Sequence, residues 1–232
     1  LDTDRGQEST PLVIDGVVYD RYDNTLNLSL GGNNPLSSQS FWDAREGANI
    51  EVTTIDVNKL KTNTVAKAAL DNPPAGEDAG ILYVSNSGAN KGARLINGTS
   101  LPTGGLMVAS ENPIYIQGDY NLDNKPAGVA GDAVSILSNN WSDANSAKSL
   151  NNRVASNTTV RAAVMGGHVE TIGGQYSGGL ENFPRFLEKW SGKTFTYSGS
   201  LVSLWFSQQA TGNWRYGAPV YTAPNRNWSY GL

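Results

Sequence analysis

Aromatic residues crowd the last part of the chain, and their chemistry is the first to suggest a ligand. With one arginine they form the set Trp214, Tyr216, Tyr221, Arg226, Trp228 and Tyr230. Exposed aromatic faces stack on the apolar faces of pyranose rings, while nearby Asn and Arg side chains hydrogen-bond the sugar hydroxyls. The set is therefore a candidate glycan platform. The alternative, favoured by the large apolar area of Trp and Tyr, is that these rings cover the end of the core.

A second candidate is the sequence DYNLDN, which starts at Asp119. Asp119, Asn121 and Asp123 match the opening of a calcium-binding loop, since Ca²⁺ takes carboxylate and amide oxygens as ligands. Asn124 stands where an EF-hand has glycine and Ala130 where it has glutamate, so an EF-hand is excluded. An irregular calcium site stays open as an alternative, and no cofactor other than calcium is expected. A turn rich in Asp and Asn is the favoured alternative.

The residue types limit catalytic chemistry severely. The chain has no cysteine and one histidine, His168, so thiolate chemistry and a two-histidine zinc site are excluded. A serine nucleophile would depend on His168 and on an orienting carboxylate that the spacing does not identify. We expect His168 to be structural.

Carboxylates are the remaining candidates, because two of them flank the bond that a glycosidase cleaves. Four fall within 25 residues, and the fold would have to gather them on one face: Asp119, Asp123, Asp132 and Asp143. Turn and capping roles are favoured for them. The motif FWDAREG is expected to form a buried ion pair from Asp43, Arg45 and Glu46 beside Trp42.

Charge and composition exclude other classes of protein. Lys and Arg total 17 against 21 Asp and Glu, giving a net charge of −4 and a pI near 5.0. A nucleic-acid partner is therefore not expected, because binding depends on cations that neutralise phosphates. No apolar stretch approaches the ~20 residues that cross a bilayer. The chain starts at Leu1 without a signal sequence, and we expect it to be processed from a longer precursor.

Hydrophobic periodicity predicts short strands separated by turns rich in Gly, Asn and Ser. Near the start, residues 12–20 and 22–30 are predicted to be strands, residues 31–40 a loop and residues 50–55 a strand. Further strands are predicted at residues 81–84, 106–109, 114–116, 134–137, 160–165, 169–172, 195–197 and 201–206.

Two helices are predicted. Asp56 has the character of an N-cap for a helix through Leu60, Val65 and Leu70. Residues 181–190, ENFPRFLEKW, place apolar side chains at helical spacing and predict a short amphipathic helix.

The strand spacing favours one architecture over another. Two-residue hairpin turns are scarce, which argues against the alternative of a β-sandwich. We therefore predict a mainly β protein: an irregular right-handed parallel β-helix (solenoid) with a few short helices. It is predicted to be a single domain over residues 1–232. Residues 1–75 would supply N-terminal strands and a capping helix, and residues 76–232 the solenoid body with its aromatic tail.

Five stretches resemble a known family. They are FWDAREG with EVTTIDVNKL, RLINGTSLPTGGLMVASENPIYIQGDYN, GDAVSILSNNWSD, GGLENFPRFLEKWSGKTFTYSGSLVSLWFSQQATGNW and APNRNW. They are similar to the C-terminal passenger region of bacterial pilus-assembly-associated (PilX-like) and hypothetical exported surface proteins. The likeness runs from about residue 41 to the end. It implies an exported β-helical module of the bacterial envelope, and it carries over no catalytic residues. The hydrophobic N-terminal helix of that family is not among these residues.

These observations predict a non-enzymatic extracellular module, either structural or adhesive, at the cell surface or on a pilus. Its expected partners are further copies of itself, other surface or pilus components, or a polysaccharide, because unpaired strand edges invite pairing. Two alternatives stay open. One is a polysaccharide lyase or hydrolase on a β-helix, and the other is a carbohydrate-binding module cut from a larger enzyme.

Overall fold

The protein is described by a computed structural model that covers residues 11–20, 22–71, 80–173, 178–214 and 219–230. Strands dominate it, as predicted, and its two α-helices are short: α1 (Val57–Thr62) and α2 (Thr64–Asp71). In chain order the strands are β1 (Leu12–Ile14), β2 (Val17–Tyr19), β3 (Leu36–Asp43), β4 (Ala48–Asp56), β5 (Ile81–Ser85), β6 (Lys91–Ile96), β7 (Leu106–Ser110), β8 (Ile114–Gln117), β9 (Ala127–Gly131), β10 (Val134–Leu137), β11 (Thr158–Arg161), β12 (Ala163–Gly166), β13 (Arg185–Phe186), β14 (Thr194–Ser198), β15 (Leu201–Val202) and β16 (Asn225–Ser229).

The strands form three sheets. Sheet 1 has the order β15-β12-β9-β7-β5-β1-β2, sheet 2 the order β13-β10-β8-β6-β4-β3, and sheet 3 the order β11-β14-β16. Sheets 1 and 2 are mixed, because each ends in an antiparallel hairpin, β1–β2 or β3–β4, while their other pairings are parallel. Sheet 3 is parallel. From β5 to β10 the chain alternates between sheets 1 and 2, so neighbours in a sheet belong to successive passes of the chain.

The core lies between the sheets and consists of aligned apolar rows. One row of sheet 1 and one row of sheet 2 are buried and in register: Leu82, Val108, Val129 and Val164, and Ile55, Leu95, Ile116, Ile136 and Phe186. Each added strand therefore extends the same rows. Burying such a side chain stabilises the fold by about 1.5–3 kcal/mol.

The outer faces of the two large sheets differ. On sheet 2 the row Thr54, Arg94, Tyr115, Ser135 and Arg185 is polar but buried. It is covered partly by the Phe41 ring, whose centroid lies 4.9 Å from that of Tyr115. On sheet 1 the outer face carries an open apolar groove of about 690 Å³ between Ile81, Met107 and Met165.

The predicted helix at Asp56 is confirmed and is divided in two. The Asp56 carboxylate accepts a hydrogen bond from the Lys59 N–H, 3.0 Å away, and so caps α1. Asn63 interrupts the helix because its side chain is buried. Its amide donates to the Leu28 carbonyl, and its Oδ1 accepts from the Ala66 N–H and caps α2. No helix in the described ranges is long and apolar enough to cross a membrane.

One N-terminal prediction is wrong and two are right only in part. Residues 12–20 form the β1–β2 hairpin, since Asp15 and Gly16 both take positive φ, as a tight hairpin turn requires. Residues 22–30 do not form a strand, and a 3₁₀ turn follows at Leu28–Gly31. Residues 31–40 are only partly a loop, because β3 starts at Leu36 with an exposed Ser and Gln face.

The amphipathic helix predicted over residues 181–190 is absent, since this segment contains a 3₁₀ turn and the strand β13. Its apolar side chains are nevertheless buried: Phe183, Phe186, Leu187 and Trp190. Pairing of Arg185 and Phe186 with β10 overrides the local helical pattern. Farther along, residues 160–165 contain parts of β11 and β12, which belong to different sheets, and residues 169–172 contain no named strand.

A buried ionic cluster joins distant parts of the chain. The Asp132 carboxylate accepts hydrogen bonds from three consecutive backbone N–H groups, those of Gln208, Gln209 and Ala210. The Arg185 guanidinium donates to the Ser207 hydroxyl, 2.9 Å away, and to the Ala210 carbonyl, 2.8 Å away. Residues 207–210 are thus held by two buried charges of opposite sign.

The β3–β4 turn completes the cluster. Arg45 Nε lies 3.9 Å from Glu46 Oε1, which confirms the predicted ion pair, and Arg185 Nη1 lies 3.4 Å from the same oxygen. Glu46 also accepts from the Gly212 N–H, and Arg45 donates to the Gly212 carbonyl. Burial raises the pKa of Glu46 and, with help from Arg185, lowers the pKa of Arg45 to about 9. Asp43 instead binds the Tyr115 hydroxyl and the turn backbone.

Replacement of Glu46 tests the cluster. Glu46→Gln keeps the shape of the side chain but removes the charge that Arg185 and Arg45 share, and uncompensated buried charge is costly. We expect a loss of about 3 kcal/mol in the free energy of unfolding, measured by urea denaturation. Glu51→Gln is the matched control, because Glu51 is exposed, and it should change stability little. Equal losses in both variants would contradict the role of the cluster.

Glu188 generates a pH dependence of stability. It is buried, and burial raises its pKa to about 7, although it accepts hydrogen bonds from the N–H and hydroxyl of Ser138. The folded protein therefore keeps a proton that the unfolded chain releases near the ordinary value of 4.5, so stability falls as the pH rises from about 4.5 to 7.

Glu188→Gln should abolish this fall. In urea denaturation at a series of pH values, wild type should lose about 3 kcal/mol relative to the variant between those two pKa values. Glu170→Gln, a change at an exposed glutamate, should keep the profile of wild type. Parallel profiles for wild type and Glu188→Gln would disprove the assignment.

Candidate functional site

Two members of the predicted platform lie on β16, the outer strand of sheet 3. Trp228 is half-buried, and its ring packs against Phe195 and Tyr197 at centroid distances of 6.4 Å and 6.1 Å. The Arg226 guanidinium lies over the indole, with its Cζ 5.0 Å from the ring centroid. The ring of Trp228 is thus engaged on two sides by the protein itself. Its indole N–H is buried and has no hydrogen-bond partner among the described residues.

Trp214 and Tyr221 form a second group. The indole N–H of Trp214 donates to the Tyr221 hydroxyl, 2.7 Å away. Tyr221 is buried, and its ring centroid lies 6.1 Å from that of Phe186. Phe186 and Phe195, 5.5 Å apart, stand between Tyr221 and Trp228, so these two predicted residues do not share one flat platform.

Tyr230 is exposed, with 90% of its surface accessible. Tyr216 lies outside the described residues. Of the members that the structure places, Tyr221 belongs to the core, Trp228 packs on it, and Tyr230 is available to a partner. The packing alternative therefore describes Tyr221 and Trp228 better than a glycan platform does.

The structure adds a surface that the sequence reasoning did not assign. Leu204, Trp205 and Phe206, here called the terminal patch, are exposed to 70%, 38% and 46%. They follow β15, the outermost strand of sheet 1. The run of apolar residues at 201–206 was predicted to be a strand, but only Leu201 and Val202 form one, and Phe206 after it makes a single parallel bridge to His168. In the sequence, the only sign of this surface was the concentration of large apolar residues at 204–206.

Neighbouring groups hold the terminal patch in place. The His168 N–H donates to the Trp205 carbonyl, 3.2 Å away, and the Ser207 N–H donates to the His168 carbonyl. The His168 ring lies 4.9 Å from the Phe206 ring. Because Ser207 is also bound to Arg185, the patch is anchored to the ionic cluster.

His168 also meets a hydroxyl. Its Nδ1 lies 2.8 Å from Ser203 Oγ. Within the described ranges no carboxylate is hydrogen-bonded to this imidazole. A catalytic triad needs such a carboxylate to orient its histidine, and these residues do not provide one. The contact fixes the segment that leads into the terminal patch.

The four acids that might have converged serve different structural roles. Asp132 binds backbone N–H groups in the ionic cluster, and Asp143 forms an ion pair with Arg94 at 2.7 Å. Asp119 accepts from the Thr159 N–H on β11, whereas Asp123 accepts from the Ser100 hydroxyl on an earlier pass of the chain. Their carboxylates are thus held by separate partners.

The same contacts bear on the calcium prediction. Asp123 lies 3.0 Å from the Lys125 ammonium. Asn121 is buried, and its side-chain oxygen accepts from the Lys125 N–H. No group of three metal-ligating side chains of the types His, Cys, Asp and Glu occurs in the described part of the chain. The DYNLDN segment thus behaves as a hydrogen-bonded turn, and calcium binding stays a prediction.

Comparison of the chain with protein-family models, with curated proteins and with solved structures finds no match. The resemblance to PilX-like surface proteins therefore rests on the quoted sequence stretches alone.

Exchange of the two outer aromatic residues separates packing from ligand contact. Trp228→Ala should lower the free energy of unfolding by about 2 kcal/mol, because it removes ring packing on Phe195 and Tyr197. Tyr230→Ala is the control and should leave the melting temperature unchanged, since its ring is exposed. Thermal unfolding followed by circular dichroism measures both. If Trp228→Ala leaves the free energy of unfolding unchanged, Trp228 would instead be a platform residue.

Proposed function

We propose that this protein is a non-enzymatic structural or adhesive module of a bacterial surface or pilus. In this proposal it is an irregular right-handed β-helix that contacts its partner through the terminal patch. The observation that carries the proposal is the exposure of Leu204, Trp205 and Phe206 at the outer edge of sheet 1. Large exposed apolar groups that cluster on a protein surface mark sites of association.

The topology supports the β-helical part of the proposal. Successive strands enter different sheets in turn, their parallel neighbours come from successive passes of the chain, and their apolar rows stay in register. This is the arrangement in which a solenoid stacks its coils.

The two ends of the proposed solenoid differ in their exposed side chains, and the difference supports association through the C-terminal end. At the N-terminal end the outer strands are β2 and β3, and the exposed side chains of β3 are serines and glutamine. At the C-terminal end the outer strands of the three sheets are β15, β13 and β16, and the terminal patch and Tyr230 lie beside β15 and β16. Outer strands with unpaired backbone groups accept further strands, and apolar neighbours favour contact.

Self-association is the form of contact that this end favours, with other surface or pilus components as the further partners in the proposal. The resemblance to exported PilX-like proteins supports the proposal that the module lies outside the cell, in the bacterial envelope. Polysaccharide binding is the second candidate. The exposed side chains Asn225, Arg226, Asn227 and Tyr230 favour it, because they offer hydrogen-bonding groups and one free ring at the same end.

The enzymatic alternative has weaker support. Hydrolysis needs two carboxylates on either side of the scissile bond, one of them able to give up a proton. Asp119, Asp123, Asp132 and Asp143 are instead engaged with backbone groups, hydroxyls or cations at separate places.

Sedimentation velocity over a range of concentrations tests self-association. Wild type should show a mass that rises with concentration, and Leu204→Asp should weaken this association at least tenfold, because it places a charge within the terminal patch. Leu30→Asp is the matched control, since Leu30 is 80% exposed but lies near the other end of the chain, and it should behave as wild type does.

Depletion of the purified chain by insoluble polysaccharides, with released sugars assayed in the same tubes, tests the second candidate. Depletion without product would support adhesion to glycans, and product release would overturn the non-enzymatic assignment. A chain that stays monomeric and is not depleted would remove the proposed role of the terminal patch.

A further inference from the structure

A polar groove lies at the end of the stack opposite the terminal patch. It has a volume of about 480 Å³, within the range of small-ligand sites. Three segments enclose it: the β1–β2 turn, the facing part of the β3–β4 hairpin and the loop between β5 and β6. Its lining is dominated by hydroxyl, amide and charged groups, among them Asp15, Ser37, Glu51, Asn86, Ser87 and Lys91.

The walls of this groove are fixed to one another. The Asp15 carboxylate accepts from the Ser87 N–H at 2.7 Å and from the Ser87 hydroxyl at 2.9 Å, which joins the β1–β2 turn to the loop. On the floor, the buried Thr53 hydroxyl donates to Asn86 Oδ1 at 2.5 Å. The groove is therefore formed before any ligand arrives, and binding need not order its walls.

Charge in the groove is unbalanced toward the negative. Glu51 and Lys91 form an ion pair at 2.7 Å, which leaves the carboxylate of Asp15 as the excess charge. The hydrogen bond from Lys91 lowers the pKa of Glu51, and the backbone N–H of Ser87 lowers the pKa of Asp15. Both groups are thus ionised at neutral pH. They accept hydrogen bonds but cannot act as the acid of a glycosidase, whose pKa must be raised.

The ligand chemistry follows from these groups. Each carboxylate oxygen has room for more than one donor, and both carboxylates are exposed on the walls. Vicinal hydroxyls and amines supply such donors in pairs, while Ser37 and Lys91 offer donors to ring and hydroxyl oxygens. A ligand with carboxylates of its own would be repelled by Asp15 and Glu51.

We propose that this groove binds a hydroxyl-rich saccharide that is neutral or carries amines, and that it excludes uronic-acid polymers. The groove shares no residue with the terminal patch, so saccharide binding in the groove does not depend on what the patch binds. It would give the module a second contact, at the end of the stack that carries the antiparallel hairpins.

Calorimetric titration with three soluble tetrasaccharides tests the proposal: a glucosamine oligomer, a cello-oligosaccharide and a galacturonate oligomer. At mildly acidic pH the glucosamine amines are protonated while Asp15 and Glu51 stay ionised, since their pKa values are lowered. We expect the glucosamine oligomer to bind most tightly, the cello-oligosaccharide more weakly and the galacturonate not at all.

Two conservative variants locate the site. Asp15→Asn removes one charge but preserves the turn, because Asn-Gly is a favoured hairpin dipeptide. Glu51→Gln removes the other. Each should weaken binding of the glucosamine oligomer about tenfold, the effect of losing one charge-assisted hydrogen bond. Glu170→Gln, at an exposed site outside the groove lining, is the control and should bind as wild type does.

Circular dichroism melting curves confirm that each variant is folded. The proposal is overturned if none of the three oligosaccharides binds, if galacturonate binds most tightly, or if Asp15→Asn and Glu51→Gln leave the affinity of the glucosamine oligomer unchanged. Since Leu204→Asp leaves the groove intact, loss of self-association in that variant does not affect this result.

Discussion

The ionic cluster around Arg185 joins two segments that are distant in sequence, the β3–β4 turn and residues 207–210. The positions of both segments depend on it. Burying a guanidinium costs several kcal/mol unless acceptors and an opposite charge compensate it. Here Glu46 compensates the charge of Arg185 from the β3–β4 turn, and the Ser207 hydroxyl and Ala210 carbonyl accept hydrogen bonds from it in a loop far along the chain. The turn and the loop can therefore satisfy Arg185 only when both are in place. Residues distant in sequence fold against one another for this reason.

The cluster also bears on both candidate surfaces. Because residues 207–210 are bound by Asp132 and Arg185, the segment that directly follows the terminal patch is fixed to the cluster. At the other side the same cluster fixes the turn of the hairpin whose strands supply one wall of the polar groove. Each candidate surface is thus next in the chain to a segment that the cluster holds. One group in the cluster, Arg45 Nη2, is buried without a hydrogen-bond partner in the part of the chain that the structure describes.

What the sequence predicted well were features decided by local chemistry. The Asp56 cap and the short strands of alternating apolar residues were found because caps and buried strand faces have local signatures. The strand β9 was missed because its residues, AGVAG, are small and carry little apolar signal. The helix expected over residues 181–190 failed for the opposite reason: several faces of that segment are buried, so helical spacing no longer distinguishes a helix from a packed irregular segment.

The candidate site was harder to predict than the fold, because exposure is a tertiary property. Trp228 and Leu204 are both large apolar residues near the end of the sequence, yet one packs on Phe195 and Tyr197 and the other is exposed after the end of β15. Only the register of β16 against β14, and the early end of β15, separates the two cases. The groove is subtler still. Asp15 and Glu51 are ordinary turn and strand residues in the sequence, and only their contacts with Ser87 and with Lys91 at the start of β6 join both to one cavity. Where parallel strands of successive passes pair, residues one pass apart in the sequence become neighbours in space. The number of residues between two such neighbours is set by the length of the loops that join the strands. Local sequence patterns do not report that length.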